Sequence, residues 1–148
     1  MFNLLSSKLY DEDTFYKAFL NDLGHCHKEV TIESPYMTLR RIECLMPTFH
    51  RLLKRRVKIT INTCDPKDHD PYLQSQSNQA IDMFAQMGIV INMFSSYHHR
   101  KIAIIDKAIT WEGSLNILSQ NDSLEVMRRI KSRKLSIQMI KFLQLDKI

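Results

Sequence analysis

The chain has 148 residues, 44% hydrophobic and 25% charged, with three Gly and four Pro. That is the size and composition of one globular domain over residues 1–148, which excludes a large multidomain machine and argues against long disorder. The net charge of +5 is unevenly placed: residues 1–37 sum to −3, 38–58 to +6, 59–126 to −4 and 127–148 to +6. Two basic stretches on a near-neutral body suit an anionic partner, nucleic acid or an acidic membrane surface, or else mark two solvated helix faces.

Residues 1–12 read as a loop or arm. Phe15, Phe19, Leu20 and Leu23 recur at helical spacing, and Gly24 stops them. Glu29 to Ser34 alternates as a strand and closes at Pro35. Thr38 can cap a helix with Leu39, Ile42, Leu45, Phe49 and Leu52 on its apolar stripe, bent or restarted at Pro47. Val57 to Ile61 is a β-branched strand, and the polar, turn-rich residues 64–75 form a loop. Asn78 to Met87 reads as a helix ended by Gly88, and Ile89 to Phe94 as a strand. Lys101 to Ile105 and Ala108 to Trp111 make a hairpin about Asp106-Lys107. Gly113 to Gln120 is a loop, Leu124 to Ile130 leans to strand, and residues 131–145 form a basic amphipathic helix. Crossover helices together with a hairpin predict a layered α-β-α domain of the α/β class, with a mixed, mostly parallel sheet.

Cys26, Cys44 and Cys64 are too few for a disulfide framework. The first residues lack the basic n-region of a signal peptide, and no run approaches the ~18–20 apolar residues of a membrane span. The cytoplasm is the expected compartment, with no membrane partner. His25, His27 and the cysteines offer no CxxC or HxxxH pair, and Asp65, Asp68 and Asp70 lack the spacing of a calcium loop. No metal or other cofactor is expected.

Chemistry concentrates between Tyr97 and Glu125. His99 and Lys101 stand two apart, which on a strand turns both to one face. After four intervening residues comes Asp106, and after six more Gly113-Ser114-Leu115-Asn116. Imidazole, ammonium, hydroxyl and amide together can bind a phosphate without a metal. Asp106 is an odd seven residues from His99 and sits at the hairpin turn, so spacing makes it structural or supporting. Glu125 could return to accept the other ring proton of His99.

HxKxxxxD followed by GSxN resembles the phospholipase D superfamily, and the window WEGSLNILS looks most like its nuclease-type and helicase-associated branches. The resemblance implies a phospholipase D-like fold over about residues 10–145. It implies His99 as a nucleophile forming a covalent phosphohistidine. Lys101, Ser114 and Asn116 become phosphate binders and Glu125 the partner of His99; Asp106 belongs to the same catalytic motif. The superfamily uses two motif copies, one to attack and one to protonate the leaving alkoxide. Here residues two after His25, His27, His50, His69 and His98 are His27, Glu29, Leu52, Pro71 and Arg100, so no second HxK exists. A twofold homodimer sharing two His99 residues is the expected unit.

The expected activity is metal-independent hydrolysis of nucleic acid, as a DNA endonuclease, with a helicase or restriction-type protein as a possible partner. The first basic run (Arg40, Arg41, Arg51, Lys54, Arg55, Arg56, Lys58) and the second (Arg128, Arg129, Lys131, Arg133, Lys134) would wall a channel. The alternatives are a phospholipid hydrolase or transphosphatidylase, and a non-catalytic nucleic-acid-binding module.

Overall fold

A computed structural model describes residues 6–95, 97–120 and 122–148. In chain order the elements are β1 (Ser6–Asp11), α1 (Phe15–Gly24), β2 (Glu29–Glu33), α2 (Leu39–Lys54), β3 (Lys58–Cys64), α3 (Pro71–Gln86), β4 (Val90–Phe94), β5 (Ile102–Ile105), β6 (Ile109–Gly113), β7 (Val126–Lys131) and α4 (Arg133–Phe142). Among the described residues, seven strands form one sheet in the order β1-β7-β6-β5-β2-β3-β4.

The sheet is mixed, but less parallel than expected. Parallel pairing is confined to β2, β3 and β4, the strands joined by the crossover helices α2 and α3. The other four pairings are antiparallel. The three-residue turn 106–108 leaves no room for a crossover between β5 and β6, and β1 closes the edge against β7.

Alternation along β6 separates the two faces. Trp111 points into the core, its ring centroid 5.0 Å from Phe15 and 6.3 Å from Phe19 of α1. Thr110, one residue earlier, faces the other way and meets Ser136 of α4 at 2.9 Å. Val30 and Ile32 share the core with Ile42, Leu45, Phe49 and Leu52 of α2, all fully buried. The layered α-β-α arrangement therefore holds, with the larger core on the α1–α2 side.

Several elements differ from the sequence reading. Residues 6–11 of the expected arm form β1, while residues 1–5 lie outside the described residues. As an exposed edge strand, β1 has no apolar alternation to reveal it. α3 begins at Pro71 rather than Asn78, because the Asp70 carboxylate caps it by accepting from the amides of Tyr72 and Leu73. α2 runs through Pro47 without interruption. Thr38 stands at its N-terminus but does not cap it; its hydroxyl instead accepts from the amide of Gln120. α4 stops at Phe142, shorter than expected.

Candidate active site

His99 and Lys101 lie just before β5, in a segment that joins no strand ladder. The His99 ring packs against Tyr36, with centroids 5.8 Å apart and planes near perpendicular. The Lys101 ammonium donates to the carbonyl of His99 at 2.8 Å. Both residues line an open cleft of about 740 Å³ together with Ser114, Glu112, Arg128 and Val126. The cleft therefore gathers an imidazole, an ammonium and a hydroxyl, as the motif spacing suggested.

Gly113 and Ser114 owe their identities to β7. A Cβ on Gly113 would stand 2.1 Å from the carbonyl oxygen of Val126, so only glycine allows that approach. The amide of Ser114 donates to that same carbonyl, and its hydroxyl accepts from the amide of Val126 at 3.0 Å. Ser114 thus extends the β6–β7 pairing while its side chain borders the cleft.

Asn116 and Glu125 stand apart from His99. They line a separate cavity of about 30 Å³ with Arg41, Tyr16 and Glu12. That volume accommodates a water molecule. The Glu125 carboxylate accepts from Ser123 at 2.8 Å, and its amide donates to Glu12 at 2.8 Å. Among the described residues no hydrogen bond joins Glu125 to the His99 ring.

Asp106 lies at the opposite end of β5 from Lys101, on the order of 15 Å away at the usual strand rise. Its backbone is left-handed, φ 54°, in a turn shared with Lys107 at φ 52°. Its carboxylate accepts from the amides of His27, Lys28 and Glu29 at 2.8 to 3.0 Å and from the Cys26 thiol at 3.4 Å. Burial alone would raise this carboxyl; the amides and the thiol outweigh it and hold it below its ordinary value. Burial, with the adjacent Asp106 charge, pushes the Cys26 thiol up to about 12. Within this chain Asp106 fastens β2 to the β5–β6 turn and does not line the cleft, which corrects its grouping with the catalytic residues.

Sequence reasoning passed over the polar cluster behind the motif. Glu33, fully buried, accepts from Arg100 at 2.7 and 3.2 Å and from Asn62 at 3.0 Å. His98 stacks on Phe94 at 4.8 Å, and burial holds its imidazole below its ordinary value. Parts of both basic runs are also engaged internally. Arg55 donates to the carbonyls of Gly24 and Cys26, and Arg41 lies over the Tyr16 ring. Arg129 holds Asp22 through two hydrogen bonds of 2.7 and 2.8 Å. Of the second run, Arg128 lines the cleft.

A family model described as "Cardiolipin synthase, PLD-like domain" matches residues 19–146. The chain belongs to the phospholipase D-like family. Solved structures extend this likeness to the fold. Nuc from Salmonella typhimurium, described as a phospholipase D family member, matches with a TM-score of 0.76 and 17% identity, over 95% of this chain and 92% of that one. NucT from Helicobacter pylori matches at 0.73 and 16%, over 95% and 94%. Phosphatidylserine synthase from Haemophilus influenzae matches at 0.74 and 16%, over 95% of this chain but 38% of its own. None of the curated proteins matches the sequence significantly. Among the described residues no helix is long and apolar enough to cross a membrane.

Proposed function

We propose that this member of the phospholipase D-like family is a metal-independent phosphodiesterase that cuts nucleic acid, as a DNA endonuclease. The observation that carries the reading is the shared cleft: His99, Lys101 and Ser114 border one open volume. An open cleft suits a polymer that passes through it, and Arg128 adds a cation for its backbone. An archaeal chromatin protein, TrmBL2, described as showing a novel mode of DNA binding, shares the fold at a TM-score of 0.64 and 12% identity, over 97% of this chain and 52% of that one.

In the proposed reaction, a ring nitrogen of His99 attacks phosphorus. A P–N bond forms as the bond to the leaving alkoxide oxygen breaks on the opposite side. Lys101, with Ser114, stabilises charge on the non-bridging oxygens. The nucleophile is a nitrogen and the charge comes from an ammonium, so no metal-activated water is required. The leaving oxygen takes a proton from His99 of a second copy. That same ring then deprotonates the water that hydrolyses the phosphohistidine. Leu9 and Val126, 57% and 51% exposed, stand on the cleft rim where a second copy would bury them.

Plasmid nicking in EDTA tests this reading. Wild type should nick, and His99→Ala should lose at least about a thousandfold in rate. Cleavage that requires an added divalent metal would contradict it. A second reading, phospholipid hydrolysis or transphosphatidylation, draws on an apolar groove of about 440 Å³ lined by Ile130, Leu135, Met139 and Phe142. Glu112 borders both groove and cleft. Faster turnover of phospholipid vesicles than of DNA would select it.

A further inference from the structure

Arg100 lies between the proposed nucleophile and its lysine, and its guanidinium is committed elsewhere. Its Nε donates to Glu33 Oε1 at 2.7 Å, and a terminal nitrogen donates to Oε2 at 3.2 Å. Glu33 is 0% exposed, whereas the Arg100 side chain is 39% exposed. A buried carboxylate without partners is strongly unfavourable, so the pair resists rearrangement once formed. Asn62 secures the carboxylate from β3 at 3.0 Å, and Asn92 secures Asn62 from β4 at 2.9 Å. The anchor therefore spans three strands, while the segment it holds has no ladder of its own.

The residues after Glu33 hold the other half of the motif. The Ser34 hydroxyl accepts from the amide of Leu118 at 3.1 Å and donates to the carbonyl of Tyr36 at 3.0 Å. The Thr38 amide donates to the carbonyl of Leu118 at 3.0 Å. Tyr36 presents its ring to His99. One turn of chain after β2 thus touches both the HxK segment and the loop that follows Ser114.

We propose that Glu33 is a positioning residue for the reaction, acting through Arg100 to fix His99 and Lys101 relative to Ser114. This rests on the catalytic reading of His99 given above. A carboxylate that never meets substrate should change the attack geometry and leave substrate affinity alone.

The test uses Glu33→Gln, Arg100→Met and the double variant in the full chain, with Tm and plasmid nicking measured on the same samples. Glu33→Gln should lower kcat about ten- to a hundredfold with KM and salt dependence unchanged. Arg100→Met leaves the buried carboxylate with only the Asn62 amide and the His98 ring, 3.5 Å away, and should lower Tm most. The double variant removes both charges, so Tm should recover while kcat stays low. If kcat recovers together with Tm, the pair is merely structural and the proposal fails.

Histidine-selective NMR without substrate reads the same positioning. The His99 ring signal, assigned with His99→Ala, should be single and sharp in wild type and broadened or split in Glu33→Gln, with the His25 and His50 signals unchanged. A wild type that never cuts DNA while this NMR contrast holds defeats the proposed activity and leaves the positioning role standing. An unchanged His99 signal with unchanged kcat overturns the positioning role.

Discussion

Asp106 gives the clearest case of chemistry decided by a single residue. Three amides and a thiol converge on a carboxylate in a left-handed turn, a backbone that Asp tolerates better than most residues. Its folded value is depressed, so its contribution to stability is complete above the ordinary aspartate value of 3.8 and fades as pH falls through the lower folded value. Asp106→Asn keeps the shape and loses the charge. It should lower stability at neutral pH, with the gap to wild type narrowing below that value in acid-unfolding curves; a gap independent of pH would contradict the account. His99, Lys101 and Ser114 were legible because the cleft depends on their spacing along two short segments, one just before β5 and one just after β6. Glu33 and Arg100 were not, because a buried ion pair between residues 67 apart leaves no local pattern.

Elements are held in register by polar ties as much as by apolar faces. Asp22 of α1, 5% exposed, accepts from the Trp111 indole at 2.9 Å and from Arg129 of β7. It thereby docks α1 on two strands at once. Its hydrogen bond with Asp22 is the leading reason the Arg129 guanidinium is held above its ordinary value. Arg129→Met would strand the buried carboxylate and should cost about 3 kcal/mol in urea unfolding. A loss under about 1 kcal/mol would show that Asp22 is satisfied without it. Most helices were readable from their apolar stripes, but the first two turns of α3 were not. Tyr72, Gln74, Ser75 and Gln76 supply no such stripe there, and the Asp70-Pro71 start is a capping signal rather than a hydrophobic one. β1 escaped for the opposite reason, since an edge strand exposed on both faces has no alternation to display.

For the whole molecule, the two basic runs are not the continuous channel walls that charge alone suggested. Arg41, Arg55 and Arg129 are engaged within the fold, while Arg128 and Lys101 face the cleft. Binding to DNA should therefore draw on a few cations per chain, doubled by a second copy. Affinity for a DNA duplex should fall at least about tenfold between roughly 50 and 200 mM salt, measured by fluorescence anisotropy. A flat response would remove the electrostatic part of the account. Light scattering on active samples should give a dimer mass, and full activity from a monomer would remove the shared site.

In the proposed reaction His99 carries the phosphoryl group. The most direct measurement is the mass of wild-type and His99→Ala protein quenched at alkaline pH during cleavage of a short oligonucleotide in EDTA. Wild type should gain the mass of one cleavage fragment, lost on mild acidification and mapped to the peptide bearing His99, with no gain in His99→Ala. Cleavage by wild type with no such adduct, or an adduct that persists in His99→Ala, would contradict the account.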